Sequence, residues 1–531
     1  MKPITLLITN ARIWTGDPRR KWAQAVAVAG DRITAVSTDD ELAPLARQAE
    51  RHIDARGQML VPGFIDCHLH ILEGGRRLHQ LALRDVRSRQ EFIQRIRDYA
   101  ARLPEGAWIT GGDWDHERWG GELPRKEWID PVTPRHPVWI NRLDGHMGLA
   151  NSLALKLAGL SRDTPEVPGG TIVRDEAGEP TGLVKDNAMA LLSRVIPKPG
   201  PEDLDRALQA AMRHLAALGV TSAHHMGTWD DLAVFRRARA AGRLTVRLYA
   251  AVPLSDHERL REEIRQTGRG DEWLRIGGLK GFVDGSLGSR TAAFLEPFAD
   301  EANNRGLLVN PPEQLESWIA GADQAGLQVM VHAIGDRANR LLLDIYERVS
   351  RRHGRRDRRF RIEHAQHVTA QDVPRFARLG VIASMQPYHA IDDGRWAERA
   401  VGSRRLPDCY RFRTLLEAGA VLAFGSDWYV APASPLEGIY AAVTRRTLDG
   451  AHPDGWIPAE RITVEEALAA YTRAAAFASF EEDLKGTIAP GKLADFVLLD
   501  QDLTRIAPEG IPGVQVKLTV VAGRIVHGEQ P

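Results

Sequence analysis

What most restricts the fold of this chain is an alternation, repeated through its middle, of short apolar strand-like runs with amphipathic helical segments. That texture belongs to βα units wound around a parallel sheet. The runs are FIDCHLH, VTSAHHM, VRLYAAV, LKGFVDG, QVMVHAI, RFRIEHA, VIASMQ and VLAFGSDW, eight in all, the number that closes a barrel. The helical partner is clearest over 202–218, where Leu204, Leu208, Met212, Leu215 and Leu218 recur at intervals of three or four and Gly219 ends the stripe. The expected fold class is therefore α/β, a (β/α)8 TIM barrel occupying 61–480.

The two ends of the chain read differently. Residues 4–60 come in short β-like bursts (ITLLITNARIW, AQAVAVAGDRITAVS, QMLVPG), and the tail repeats that texture in GTIAPGKLADFVLLD and VQVKLTVVAGRIVHG. Segments 1–60 and 481–531 are thus expected to pair into one small β-sandwich domain beside the barrel. A stretch from about 74 to 201 does not fit the βα count. It holds a strand-like PVWINRL and a hairpin candidate, GGTIVRDEAGEPTGLV, with its turn at EAGEP. An insertion after the first strand emerges at the C-terminal face, where active sites of this fold lie, so it is expected to act as a lid or substrate subdomain.

Composition narrows the function classes. The chain has 531 residues, 43% of them hydrophobic, enough to bury a large core. Lys plus Arg equals Asp plus Glu at 70 each, so no global field recruits nucleic acid or an anionic membrane. The basic run from Arg351 to Arg361 reads as a solvated helix end. Cys67 and Cys409 are the sole cysteines, which excludes a disulfide scaffold and points to a reducing compartment. The opening MKPITLLITNARIW is not leader-like and no run is long and apolar enough to span a bilayer, so a cytoplasmic protein acting on a small molecule is expected.

Candidate chemistry sits at the strand ends. His68 and His70 flank Leu69 in the first run, and side chains two apart on a strand point the same way. Lys280, His332, His364 and Asp427 fall in or just after four further runs. Singly, each has an ordinary reading as a surface lysine, a satisfied histidine or a helix cap. Together they would gather metal-capable groups at one barrel mouth, and nitrogen and oxygen donors without thiolate suit Zn2+, Mn2+, Fe2+ or Co2+. Secondary candidates for substrate contact are Arg290 after the DGSLGS turn, His146 with Asp144 and Asn151 in the insertion, and Trp114, Trp428, Tyr388 and His389. At least one of His224 and His225 is expected to support the site from behind.

The ordered set H-x-H, Lys, His, His, Asp on strands one, four, five, six and eight resembles the amidohydrolase superfamily. The phrases VPGFIDCHLH, KGFVDGSLGSRTA, VHAIGDRA, LDGHMGLANSLAL and GTIAPGKLADFVLLD are similar to the subgroup of N-substituted formamide deformylase-like hydrolases. The resemblance spans nearly the whole chain. It implies two divalent metal ions, one held by His68, His70 and Asp427, the other by His332 and His364, with a carboxylated Lys280 between them. An ammonium has no lone pair to give, so only the carbamate could serve as that bridge. It further implies metal-activated hydroxide attacking a non-peptide amide, with Asp427 as the catalytic base and then acid. The resemblance also implies a homodimer formed through exposed barrel helices.

Other readings stay open at this point. The same machinery would serve a cyclic amidase or a lactonase or esterase. A heterocycle deaminase fits less well, because His332 is followed by Ala333, Ile334, Gly335 and Asp336 rather than a nearby glutamate. A metal-free barrel scaffold is the non-enzymatic alternative.

Overall fold

A computed structural model describes residues 3–528. Eight parallel strands form its central sheet, each beside its neighbour in sequence: β1 (Phe64–Leu69), β2 (Val220–Met226), β3 (Arg247–Pro253), β4 (Leu274–Phe282), β5 (Gln328–Ala333), β6 (Arg361–His364), β7 (Ile382–Met385) and β8 (Val421–Phe424). These coincide with the eight runs read from the sequence, and only β4 begins several residues earlier than LKGFVDG. Closure of the barrel comes from the end of β8 meeting β1. Leu69 bridges Trp428, the Asp427 amide donates to His68 O at 2.7 Å, and the His70 amide donates to Trp428 O at 2.6 Å.

The barrel is covered outside by helices whose apolar faces fill one continuous core. α1 (Ile71–Arg77) leaves the end of β1 and packs on α2 (Pro201–Ala217), the helix expected at 202–218. Leu208, Met212 and Leu215 are buried at that contact. Gly75 makes the approach close: a Cβ there would stand 2.1 Å from Ala207 O, so α1 could not reach α2 with any larger residue.

Both chain ends build two further sheets. One has strands Arg32–Ser37, Ala25–Ala29, Leu6–Thr9 and His52–Asp54; the other runs Arg524–His527, Val516–Val521, Phe496–Leu499, Met59–Pro62, Arg12–Trp14 and Trp22–Ala23. Leu6, Val28, Leu60, Phe496 and Leu518 share the apolar layer between them, the arrangement of a sandwich. The stretch between β1 and β2 forms its own six-stranded sheet, ordered Gly170–Arg174, Pro180–Asp186, Met147–Ala150, Val138–Arg142, Ile109–Trp114 and Leu81–Ala82. Its outer pair is the hairpin read from GGTIVRDEAGEPTGLV. No helix among the described residues is long and apolar enough to cross a membrane.

Candidate metal centre

The strand ends deliver three ligand-capable groups to one place. Ligand atoms of His68, His364 and Asp427 all lie within 4.8 Å of one another, and all three residues are buried. Asp427 Oδ1 also stands 3.3 Å from His70 Nε2 and 3.5 Å from His68 Nε2, so both imidazoles of the H-x-H pair converge on one carboxylate oxygen. The His332 ring lies 4.5 Å from that of His364, centroid to centroid. Lys280 is buried on β4, and its ammonium sits 4.8 Å from the Phe282 ring.

Hydrogen bonds behind these rings decide which nitrogen faces the centre. His68 Nδ1–H donates to Glu363 Oε2 at 2.5 Å, and His364 Nδ1–H to Gln386 Oε1 at 2.7 Å. His332 Nε2–H donates to Gly285 O at 2.9 Å. Each ring therefore presents its other nitrogen as a lone pair, and His68 Nε2 is buried without any hydrogen-bond partner. An orphaned buried nitrogen beside a carboxylate is costly in a bare protein and ordinary in a metal site. The donor set fits a divalent metal.

Glu363 is the hub of this support. It takes two bonds from Arg361 at 2.7 and 3.0 Å and one from Ser384 Oγ at 2.7 Å. Arg361 in turn donates to His224 Nδ1 at 3.0 Å. His225 accepts the Ile71 amide at 3.1 Å, and its other nitrogen faces Asp231 at 3.3 Å, which pins the chain just beyond His70. Asp66 ties β1 to β8, accepting the His68 amide at 3.1 Å and Ser426 Oγ at 2.5 Å. Asp284 does the same for β4 and β5, accepting the amides of Ala293, Ile334 and Gly335. Sequence reading missed Glu363, Asp66 and Asp284. The signal for Glu363 was Arg361 and Glu363 alternating on one face of an otherwise apolar strand.

Electrostatics set the ligands in their metal-binding forms. Burial, with the Lys280 charge nearby, lowers the His68 imidazole to about 4. His332 and His364 fall well below their ordinary value, chiefly through burial, so all three rings are neutral near pH 7. Burial pushes the Asp427 carboxyl up, yet with His68, His364 and the hydrogen bond from His70 around it the balance falls well below its ordinary value. Burial lowers the Lys280 amine to about 8 despite the charges of Glu363 and Asp427. The backbone is strained at two ligands: His364 has φ +76° and Asp427 φ +60°. Strain of that kind persists where surrounding structure over-determines it, as at functional sites.

Above the ligands opens a narrow cleft of about 60 Å3. Its outer wall comes from the insertion, through Asp115, Arg142, Asp144 and His146, and from α3 (Pro387–Asp393) with the residues after it. Asp144 locks the insertion onto the DGSLGS loop by accepting from Ser286 Oγ at 2.5 Å and Ser289 Oγ at 3.1 Å. His146 faces the cleft with its ring 5.0 Å from that of His332 and Nδ1 on Asp186 at 2.7 Å. His389 lines the cleft too, and its Nε2, 3.9 Å from Asp427 Oδ2, is buried with no hydrogen-bond partner.

Three of the side chains expected at the substrate turn elsewhere. Arg290 is drawn away by Asp300, 2.6 Å distant, and by Leu287 O at 3.0 Å. Trp114 is fully buried in the core of the insertion, its indole N–H on Ile140 O at 3.1 Å. Trp428 packs over Gly74 and stacks on His214 at 5.0 Å, and does not line the cleft. Asn151 caps the helix Ser152–Ala158. Asp336 accepts the Leu295 amide at 2.7 Å and does not line the cleft.

Comparison with known proteins agrees with this geometry. Residues 51–527 match the amidohydrolase family. The chain is 42% identical to Protein LONG AFTER FAR-RED 3 of Arabidopsis thaliana, over 93% of this chain and 87% of that one. It is 31% identical to the N-substituted formamide deformylase of Arthrobacter pascens, over 98% and 97% of the two chains. Among solved structures it resembles an uncharacterized metal-dependent hydrolase of Pyrococcus horikoshii, with a TM-score of 0.76, 28% identity, and coverage of 95% of this chain and 99% of that one. The chain thus belongs to the amidohydrolase family and is a hydrolase of carbon–nitrogen bonds.

Proposed function

We propose that this hydrolase cleaves the amide bond of a small N-substituted amide with two divalent metal ions, zinc first among them. His68, His70 and Asp427 would hold one ion and His332 and His364 the other, with Lys280, carboxylated on its amine, between them. The reading rests on one observation: ligand atoms of three strand ends gathered within 4.8 Å, with an orphaned His68 Nε2 among them. When bound, such ions supply Lewis acidity, lowering the pKa of water and polarising a carbonyl.

The chain's own residues do the rest. Asp427, ionised and at the mouth, accepts the proton of the attacking water and returns it to the leaving nitrogen. Burial lowers the His146 pKa, but the Asp186 hydrogen bond and charge, with the charges of Asp144 and Asp284, together raise it above its ordinary value, so it can donate to the substrate oxygen. Lys280 supports carboxylation because burial lowers its pKa, and only the neutral amine reacts with carbon dioxide. Leu143, Leu287 and Ile334 give the cleft an apolar side for the N-substituent.

Screening metal-loaded protein against N-substituted formamides, N-acyl amino acids, cyclic imides and lactones tests the reading. Turnover of open-chain amides is expected. Turnover confined to lactones and esters would overturn it.

A further inference from the structure

A second cavity, of about 240 Å3, lies at the other end of the barrel, where β3, β4 and β5 begin. Four guanidinium groups line it, from Arg269, Arg275, Arg356 and Arg358, against the carboxylates of Asp323 and Asp357. Both carboxylates are already committed. Asp323 is buried and takes His353 at 2.8 Å, Arg358 at 2.9 Å and Arg356 besides. Asp357 pairs with Arg359 at 2.9 Å. Arg269 and Arg275 are left with backbone partners, Gly326 O and Phe480 O, each at 2.9 Å. Among the described residues neither has a carboxylate within 4.0 Å, so both partly buried guanidinium groups lack an ion-pair partner.

The seat of Arg269 is built into the sheet. β4 carries a bulge at Gly277, opposite a break in register between Ala250 and Ala251 of β3. Gly277 has φ +146°, and a Cβ there would stand 2.4 Å from Arg269 Nη1. The guanidinium can lie against the strand only because no side chain occupies that place. The basic run at 351–361 supplies the facing wall through Arg356 and Arg358, so it is more than a solvated helix end.

From this we propose that the cavity binds a small polyvalent oxyanion, phosphoryl or carboxylate, held by Arg269 and Arg275. Planar guanidinium groups meet such oxyanions bidentately, and an anion would supply the charge the cavity lacks. The site sits at the starts of β4 and β5, at the opposite end from Lys280 and His332, so its occupation is separable from turnover.

Calorimetric titration of the metal-loaded protein with inorganic pyrophosphate and with citrate tests the proposal. One anion per chain should bind with a dissociation constant below about 1 mM, weakening as salt rises. Arg269→Gln/Arg275→Gln should weaken binding at least about tenfold, and Gly277→Val should do so with every charge intact. Amide turnover should be unchanged in the arginine variants. Either single arginine variant serves if the double one does not fold. Tighter pyrophosphate identifies a phosphoryl ligand, and tighter citrate a carboxylate one. Absence of binding by both probes, or binding unchanged in these variants because the anion sits at the metals, would overturn the proposal.

Discussion

Glu363→Gln isolates the buried carboxylate behind His68 while keeping its volume. In the native protein Glu363 receives His68 Nδ1–H, two Arg361 bonds and the Ser384 hydroxyl. An amide keeps one acceptor oxygen but turns its N–H2 toward donors, so the imidazole loses the charge that fixes its tautomer and raises its basicity. Loss of such an outer partner costs about 10–100-fold in metal affinity, which is about 1.4–2.7 kcal/mol. Stability should fall as well, by about 3–5 kcal/mol, because the Arg361 guanidinium is fully buried and would lose its counter-ion. Graded chelator competition measures the first effect and chemical denaturation of metal-free protein the second. Affinity within about twofold of wild type, in a variant whose circular dichroism is unchanged, would refute the claim that Glu363 orients His68.

Arg290→Ala should leave KM for the amide within about twofold while lowering stability by about 2 kcal/mol, discounted because Asp300 is partly exposed; a KM raised tenfold at unchanged stability would restore it to the substrate. Trp114→Ala should destabilise by about 3–5 kcal/mol as read by denaturation, since it empties the core of the insertion. His367 is buried and held at about 3, by burial first and then by Arg405, so it is neutral in the fold and protonates only on unfolding. A group depressed in this way costs nothing above its ordinary value and destabilises increasingly below it. From pH 6.5 to about 5 the wild type should lose about 2 kcal/mol more than His367→Gln, seen as a larger drop in urea midpoint.

The barrel was legible because each strand is buried on both faces and so reads as an unbroken apolar run, and because polar residues ending such runs stand out. His68, His332, His364 and Asp427 announce themselves in that way. Glu363 does not: its partner His68 is 295 residues away, and only closure of the sheet brings them together. Arg290, Trp114 and Trp428 show the opposite failure. Position in a loop near the mouth says nothing of where a long side chain turns, and here Asp300, Ile140 O and the His214 ring claimed them. The two arginines without an ion-pair partner at the far end, Arg269 and Arg275, were hidden too, since a charge count cannot tell a paired guanidinium from one that is not.

The metal centre is tested most directly by elemental analysis of the purified, reconstituted wild type beside Lys280→Ala and Asp427→Asn, with amide turnover measured on the same samples. Two divalent ions per chain are expected in the wild type, fewer in Lys280→Ala, and retained metal with little hydrolysis in Asp427→Asn. A wild type that takes up no stoichiometric metal, or an Asp427→Asn variant that turns over amide at the wild-type rate, would contradict it.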